Sequence, residues 1–186
     1  MSLEEYKKKR DFGKTQEPEG RQKSTGKNIF VVQKHKATRL HYDLRLEMNG
    51  ILKSWAVPKG PSLNPKDKRL AIETEDHPIE YATFEGTIPE NNYGAGTVII
   101  WDKGIYKNTN IKEEKLVSLE KSYEQGHIII ELLGDKLQGE FALIKMKGQK
   151  NKWLLIKKAD EKADRSRNIT NERPESVKSG KKIIDF

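Results

Sequence analysis

The residues best suited to chemistry alternate along one short segment, residues 39–48. His41, Asp43 and Arg45 occupy every second position there. The positions between and around them are apolar: Leu40, Tyr42, Leu44, Leu46 and Met48. Because successive side chains of a β-strand point to opposite faces, this pattern predicts a strand with one apolar face and one charged face. We expect the apolar face to pack in the core, and the charged face to line a polar cavity or meet water.

His35 lies just upstream of this strand, and the connection 36–38 can turn the chain so that His35 returns alongside His41. Two imidazoles and the Asp43 carboxylate would then form a ligand set for one divalent cation such as Zn²⁺, Mn²⁺ or Fe²⁺. Three protein ligands leave coordination positions open for water and substrate, as a catalytic site requires. From the pattern alone, a solvated strand face with a surface histidine is the alternative.

A second alternative uses the same strand with a different third ligand. His41 and Asp43, joined by either His77 or His127, also fit the two-histidine, one-carboxylate site of non-haem iron oxygenases. Local spacing leaves both metal interpretations open.

Basic residues in neighbouring segments are candidates for anion binding. Arg45 lies in the alternating strand, Lys59 in the loop after the next apolar segment, and Arg69 at the start of a further one. Arginine binds phosphate through two parallel hydrogen bonds, and lysine binds it as a point charge. His77 lies at a turn, four positions before Tyr81. The fold must bring these residues together for them to act as a site; otherwise each is an ordinary surface residue.

The glycine-containing segment 93–97 (YGAGT) invites comparison with a phosphate-binding loop. It lacks the third glycine of a dinucleotide fingerprint and the Gly-Lys-Ser/Thr of a P-loop, and it precedes a predicted strand rather than a helix. We therefore expect a tightly packed turn there.

Composition restricts the class of protein. The chain has 186 residues, of which 34% are hydrophobic and 34% charged, and its net charge is +8. This length predicts one domain, and the basic excess, which lies mainly in the two ends, favours a polyanionic partner such as nucleic acid. The absence of cysteine excludes disulfide scaffolds, cysteine-ligated zinc and thiol nucleophiles. The apolar runs are only strand-sized and the first residues are polar, so we expect a cytoplasmic protein without a membrane span or signal peptide.

The chain divides into three predicted segments: an N-terminal arm over residues 1–27, a folded domain over 28–159 and a polar tail over 160–186, with both ends flexible. Asn49-Gly50 predicts a type I′ turn after the alternating strand, with a partner strand over 51–57. Further short strands are predicted at 29–33, 69–73, 97–101, 104–107, 127–133, 139–146 and 153–157. One helix is predicted over 112–125, ended by Gly126. The pattern favours a mainly β protein, either a barrel or a sandwich.

Several blocks of the sequence resemble the 3′-phosphoesterase domain of bacterial DNA ligase D. They are residues 30–47 (FVVQKHKATRLHYDLRLE), 55–62 (WAVPKGPS), 77–81 (HPIEY), 84–89 (FEGTIP) and 93–96 (YGAG). Residues 9–12 (KRDF), with Thr15, Glu17 and Pro18, are similar to the N-terminal part of that domain, and residues 175–180 (ESVKSG) are similar as well. The blocks occur in the family's order over roughly residues 6–160.

This resemblance implies a small β-barrel with a polar central cavity. It also implies an activity that removes a 3′-terminal ribonucleotide from a primer strand, leaving a 3′-phosphate, and then hydrolyses that phosphate to a 3′-hydroxyl for ligation. The implied cofactor is one Mn²⁺ or a similar divalent ion, and the implied substrate is primer-template DNA with a 3′-ribonucleotide or 3′-phosphate end. Family members usually carry polymerase and ligase domains as well, so we expect a separate ligase, a polymerase and Ku as partners, close to the nucleoid of a prokaryote.

The resemblance also assigns residues by motif. The metal ligands are His35, His41 and Asp43. His77 and Arg45 contact the scissile phosphate, with Lys59 and Arg69 nearby; Tyr81 is a site tyrosine; and Arg10, Asp11 and Glu17 belong to an N-terminal arm that folds over the site. His127 matches no motif and is expected to be structural. A non-catalytic nucleic-acid-binding module that uses the basic ends is the remaining alternative.

Overall fold

The computed structural model describes residues 3–21 and 23–186; residues 1, 2 and 22 of the predicted N-terminal arm lie outside this part. The strands are β1 (Ile29–Lys36), β2 (Leu40–Met48), β3 (Ile51–Val57), β4 (Arg69–Pro78), β5 (Gly86–Ile88), β6 (Gly96–Asn108), β7 (Ile111–Lys112), β8 (Lys115–Leu116), β9 (His127–Gly134), β10 (Gln138–Lys145) and β11 (Lys152–Lys157). The α-helices are α1 (Glu4–Lys8), α2 (Leu119–Glu124) and α3 (Ile169–Glu172), with single 3₁₀ turns at Ile79–Thr83 and Ile183–Asp185. Every helix in the described ranges is too short or too polar to span a bilayer.

Eight antiparallel strands close into a barrel. Their order is β1-β2-β3-β4-β11-β10-β9-β6, and β6 pairs again with β1 to complete the circle. The three-residue strand β5 extends the sheet from β6. The mainly β barrel predicted from the sequence is therefore confirmed. The Asn49-Gly50 turn is confirmed too, because both residues have positive φ and Met48 pairs with Ile51.

The interior of the barrel is apolar. A single buried cluster takes side chains from all eight strands, with Leu44 and Leu46 of β2 on the same side as Trp55 of β3 and Trp153 of β11. The charged positions of β2 alternate with these leucines and therefore face outwards. The expectation that the polar cavity lies at the centre of the barrel is wrong: the apolar face of each strand fills the centre, and the polar residues lie on the outer wall.

The helix predicted over 112–125 is wrong in its first half. Glu113 and Glu114 both have positive φ and form the turn of the small β7–β8 hairpin. Helix α2 begins only after Ser118, whose side chain accepts a hydrogen bond from the Lys121 amide at 3.2 Å. The spacing of apolar residues suggested a longer helix, but a capping serine and two left-handed residues override it. Gly126 follows the helix with φ of 70°, as predicted for a helix end.

A β-bulge interrupts the pairing of β3 with β4. Ser54 pairs with Thr74, but Leu52 pairs with His77. Between these two pairs β4 advances by three residues and β3 by only two. The extra residue changes the face on which the following side chains lie. As a result His77 faces outwards, although strict alternation from Thr74 would turn it into the barrel.

The two ends of the chain lie against the barrel. Tyr6 of α1 is fully buried in a second apolar cluster on the outer wall, together with Val31, Leu52 and Tyr81. In the C-terminal segment, Ile169 joins the interior cluster. The outer wall of β1–β3 is therefore covered by residues near the N-terminus and by the 79–95 connection.

Candidate active site on the outer wall of the barrel

Strand register places His35, His41 and Asp43 side by side. His35 of β1 lies directly opposite His41 of β2, and their ring centroids are 4.9 Å apart. Asp43 Oδ2 lies 3.2 Å from His41 Nε2 and 3.8 Å from His35 Nδ1. One possible ligand atom from each residue lies within 4.8 Å of the others. The turn between β1 and β2 thus brings His35 back to His41, as the spacing predicts.

The surroundings of these three side chains suit a bound cation. His41 Nδ1 lies 3.0 Å from the Arg39 carbonyl oxygen, which accepts its proton and leaves the lone pair of the neutral ring on Nε2, next to Asp43. His35 Nε2 is buried and has no hydrogen-bond partner in the described part of the chain. Two imidazoles and a carboxylate, with one buried nitrogen unsatisfied, fit a divalent transition-metal ion.

Charge controls the protonation of the cluster. Burial alone would raise the pKa of Asp43, but Arg45 and the two imidazoles hold it well below its usual range. Burial alone would lower the pKa of His41, but hydrogen bonding and charge from Asp43 raise it. Asp43 is therefore an anion at neutral pH, as a metal ligand must be.

Arg45 is fixed by side chains on both neighbouring strands. Its Nε donates to Gln33 Oε1 at 2.7 Å, and its Nη1 donates to Ser54 Oγ at 2.9 Å. Nη2 lies 3.6 Å from Asp43 Oδ2, and the guanidinium lies 4.8 Å from the centre of the Tyr81 ring. The arginine is only 4% exposed. It is therefore a preorganised cation next to the candidate metal ligands.

His77 lies in the same wall as a neutral ring. It is buried, and its Nδ1 lies 2.9 Å from the Glu75 carbonyl oxygen, so Nδ1 carries the proton and Nε2 the lone pair. Its ring packs against Tyr81 at 4.7 Å and Tyr6 at 5.1 Å between centroids. Burial, and then the positive charges of Arg45 and Arg10, lower the pKa of His77 well below its ordinary value. A bound anion would offset those charges and favour protonation of the ring.

The N-terminal segment adds a second arginine. Arg10 Nε donates to Glu17 Oε1 at 2.9 Å, and Arg10 Nη1 donates to Glu75 Oε1 at 2.8 Å. The Tyr81 hydroxyl donates to the same Glu17 oxygen at 2.9 Å, and Lys9 Nζ lies 2.8 Å from Glu75 Oε2. Burial, with the adjacent Glu17 charge, raises the pKa of Tyr81 well above its ordinary value. These contacts join the N-terminal segment to β4 and to the wall of the site.

Most of these groups surround one cavity of about 270 Å³. Its lining includes Arg10, His35, His41, Asp43, Arg45, Ala56, Thr74, Glu75, His77, Tyr81, Tyr93 and Gly94. Tyr93 is 52% exposed and stands at its edge, with Lys9 Nζ 4.9 Å from its ring centre. A Cβ at Gly96 would lie 2.1 Å from the Lys36 carbonyl oxygen, so close packing accounts for the glycine at this position. The cavity combines a candidate cation site with two buried arginines, an arrangement suited to a phosphate ester.

Comparison with known proteins gives the family. Residues 33–145, more than half of the chain, match the family described as the DNA Ligase D 3′-phosphoesterase domain. This chain belongs to that family. The resemblance noted in the sequence is therefore confirmed, and His35, His41, Asp43, Arg45 and His77 all lie within the matched region.

Curated relatives of this 3′-phosphoesterase-domain chain are multifunctional non-homologous end joining proteins named LigD. The protein of Pseudomonas aeruginosa is 48% identical over 190 residues, covering 98% of this chain and 22% of the relative. That of Mycolicibacterium smegmatis is 45% identical over 176 residues, 93% of this chain and 22% of the relative. That of Mycobacterium tuberculosis is 47% identical over 154 residues, 82% of this chain and 19% of the relative. The chain thus spans about a fifth of the length of these relatives.

The structure brings most of the predicted site residues of this phosphoesterase-family chain together around the cavity, but four of them do not line it. Asp11 is exposed, accepts a hydrogen bond from the Gly13 amide at 3.1 Å and lies 3.4 Å from Lys14 Nζ. Lys59 and Arg69 line a separate recess on the surface. Glu17 does not line the cavity itself but holds Arg10 and Tyr81 from behind.

Some residues of the site were not predicted from the sequence. Ser54 could have been found, since counting back from the Asn49-Gly50 turn places it opposite Arg45. Gln33 lies two positions before His35, on the same face, and its amide donates to the carbonyl oxygens of Tyr81 and Phe84 at 2.7 and 3.0 Å. No local sequence pattern predicts Glu75 as a site residue, because its outward position depends on the bulge in β4.

Proposed function

We propose that this chain is a divalent-metal-dependent 3′-phosphoesterase that heals DNA 3′ ends. The observation that carries the proposal is the single cavity in which a His-His-Asp cluster lies beside two buried arginines and a neutral histidine, in a chain of this family. Each group has a use in phosphate ester hydrolysis: ligation of a cation, neutralisation of the phosphate, and proton exchange.

His35, His41 and Asp43 would hold the ion, and Mn²⁺ suits their mixture of nitrogen and hard oxygen donors. When bound, such an ion polarises a phosphate oxygen and lowers the pKa of a coordinated water. Asp43 stays ionised because Arg45 and both imidazoles favour its charged form. The hydrogen bond from His41 Nδ1 to the Arg39 carbonyl orients that ring for coordination.

The two arginines would bind the phosphate. Arg45 cannot swing away, because Gln33 and Ser54 hold two of its nitrogens. Arg10 is held in the same manner by Glu17 and Glu75. Negative charge that accumulates on the phosphate oxygens in the transition state is therefore met by donors that need no reorganisation.

His77 would exchange a proton at Nε2. In the free protein its pKa is lowered by burial and by the arginines, so the ring is neutral. A phosphate in the cavity adds the opposite charge and favours the imidazolium, which can hydrogen-bond a phosphate oxygen or give its proton to the leaving oxygen. Nδ1 stays committed to the Glu75 carbonyl throughout.

The proposed reaction has two hydrolytic steps. In the first, water adds to phosphorus and the bond to the 5′ oxygen of the terminal ribonucleoside breaks, so that a 3′-phosphate stays on the primer. In the second, water adds again and the bond to the 3′ oxygen breaks, releasing inorganic phosphate and a 3′-hydroxyl. The ribose 2′-hydroxyl is the group that distinguishes the first substrate from DNA.

We extend the proposal to end joining because the LigD relatives are named for it. A 3′-hydroxyl is what a DNA ligase needs, so the product would pass to a ligase, with a polymerase and Ku acting at the same break. This places the proposed work of the chain near the nucleoid in the cytoplasm.

The test is an assay of a primer-template that ends in one ribonucleotide, with Mn²⁺, resolved by denaturing electrophoresis. The wild-type protein should shorten the primer to a 3′-phosphate and then to a 3′-hydroxyl. His41→Ala should lose both steps, and the exposed control Lys7→Ala should keep them. A wild-type protein that binds the duplex but leaves its end intact would refute the proposal and favour a non-catalytic binding module.

A further inference from the structure

Six basic residues form a surface of their own beside the active-site cavity. They are Lys59, Lys66, Lys68, Arg69, Arg165 and Arg167. Two adjoining recesses, of about 370 and 200 Å³, contain them. Asp67 and Arg69 belong to both recesses and join them. We call these six residues the basic surface.

Most of this charge is unpaired. Arg69 Nη2 lies 3.6 Å from Asp67, and Arg167 Nε lies 2.8 Å from Glu172. Over residues 3–21 and 23–186, the remaining four members of the basic surface have no carboxylate within ion-pair distance: Lys59, Lys66, Lys68 and Arg165. Charges that the protein itself leaves uncompensated are available to an anionic partner.

The backbone that carries the basic surface is fixed. The Asp164 amide donates to the Leu63 carbonyl oxygen at 2.9 Å, which joins the 58–68 loop to the C-terminal segment. Leu63 and Ile169 from these two segments both pack in the barrel interior. A Cβ at Gly60, which has φ of 77°, would approach Tyr42 and Thr170 to about 2.9 Å. The cations are therefore presented by packed loops, and little backbone entropy is lost when they bind.

The basic surface continues from the active site along two neighbouring strands. On β3, Ala56 lines the cavity and Pro58 already lines the larger recess. On β4, Thr74 lines the cavity and Leu70 lines the recess. The cavity lining and the recess lining are thus two residues apart on β3 and four residues apart on β4, or about 7–13 Å at ~3.3 Å per residue. That span equals roughly two to four base pairs of B-form rise at ~3.4 Å each.

We propose that the basic surface binds the phosphate backbone of the primer-template duplex, about two to four base pairs from the 3′ end that occupies the cavity. The proposal rests on the proposed function for the position of that end. It assigns Lys59 and Arg69 to duplex binding and not to the reacting phosphate. The recesses contain no aromatic lining residue, whereas proteins that hold single strands stack bases on aromatic rings. Phosphate contacts position a protein on a duplex without reading its sequence.

The experiment removes three charges at positions that have no part in the cavity. The triple variant Lys66→Gln, Lys68→Gln, Arg165→Gln is compared with a matched triple of exposed lysines elsewhere, Lys107→Gln, Lys115→Gln, Lys121→Gln. Affinity for a primer-template is measured by fluorescence anisotropy over a range of salt concentrations. We expect the first triple to bind at least about tenfold more weakly, with a log–log salt slope reduced by about 2.7, and the control to match the wild type.

A chemical change in the DNA locates the contact. Neutral methylphosphonate linkages placed about two to four base pairs from the 3′ end should weaken binding by the wild type and have little effect on the first triple. The steady-state effect should fall on KM for the primer-template, with kcat preserved.

Three results would overturn the proposal: equal affinity of both triples, an equal loss for a single strand of the same sequence, or a loss confined to kcat. A wild-type protein that lacks phosphoesterase activity but shows the charge-dependent duplex binding would refute the proposed function alone. Loss of hydrolysis in His41→Ala with unchanged affinity for the duplex would show that the two surfaces are separate.

Discussion

The two faces of strand β2 are buried to a similar degree, but one carries apolar side chains and the other carries charged side chains. Leu44 and Leu46 face the barrel interior and belong to its apolar cluster. Asp43 and Arg45, one position away, face the outer wall and are about as inaccessible, at 5% and 4% exposed. Burial of the inner face is favourable by itself, whereas burial of the outer face requires that every charge has a partner. Solvent exposure therefore does not distinguish the core from the candidate site. The two differ because the charged side chains of the site need hydrogen-bond or ion-pair partners and the core side chains do not.

The outer face is buried only because other segments cover it. Arg10 and Glu17 arrive from the N-terminal segment, and Tyr81 from the turn after β4. The inner face needs no such cover, because eight strands enclose it. We therefore expect changes on the inner face to affect stability, and changes on the outer face to affect catalysis.

The largest expected effect is on the inner face. Trp55 is fully buried and packs against Trp153 with ring centroids 5.6 Å apart. Trp55→Ala should lower the free energy of unfolding by about 3–5 kcal/mol, because it leaves a large cavity among apolar side chains. Urea denaturation measures this, with Trp55→Phe as the milder control. Hydrolytic activity per folded molecule should persist; its loss in fully folded protein would show that the two faces are not independent.

On the outer face, Arg45→Lys keeps the charge but loses the planar fork that Gln33 and Ser54 hold. We expect kcat to fall by about 10²–10³, or about 2.7–4 kcal/mol of transition-state stabilisation. Steady-state hydrolysis of a 3′-phosphorylated primer measures it. The exposed Arg21→Lys should behave as wild type. A variant that keeps its kcat but unfolds much more readily would place Arg45 among the structural residues instead.

Metal binding to the outer face should raise the free energy of unfolding of the whole protein. Free Mn²⁺ at a hundred times its dissociation constant should add about 2.7 kcal/mol to the free energy of unfolding, because the ion binds only the folded state. The rise in Tm is measured by differential scanning fluorimetry. His41→Ala should lose most of this rise and Lys7→Ala should keep it. An unchanged rise in His41→Ala would mean that the ion binds elsewhere.

The smallest expected effect concerns pH. The pKa of His77 is lowered in the folded protein, whereas in the unfolded chain it is close to about 6.5. Below that pH the unfolded state binds the extra proton and the folded state does not. As the pH is lowered below about 6.5, the free energy of unfolding should therefore decrease by up to about 1.4 kcal/mol per pH unit, until the pKa of His77 in the folded protein is reached.

Urea denaturation of the wild type and of His77→Gln between pH 7.5 and 5 separates this contribution, because the other titrating groups are common to both. Parallel pH profiles for the two proteins would contradict the lowered pKa and, with it, the neutral state of His77.

Much of this architecture could be predicted from local sequence signals. The alternation in β2, the Asn49-Gly50 turn and the return of His35 to His41 are all properties of short segments, and the structure contains them. The position of the cavity was not accessible in this manner. Alternation distinguishes two faces of a strand, but which face lies inside a closed barrel depends on what covers the other, and that cover comes from Tyr6 and from residues 79–95. The helix predicted over 112–125 is wrong over residues 112–118, because Glu113 and Glu114 adopt left-handed conformations that their residue types do not predict.

The bulge in β4 makes the site sensitive to chain length at one point. Asp76 pairs with Lys53 at 2.9 Å, which leaves Glu75 free to pair with Lys9 and Arg10. Deletion of Asp76 would restore regular pairing and bring Glu75 opposite Lys53. Lys53 would keep a carboxylate partner, but Lys9 and Arg10 of the N-terminal segment would lose their ion pairs with Glu75. Loss of this one residue would therefore leave the core of the barrel unchanged and remove the Glu75 carboxylate from the cavity that it lines.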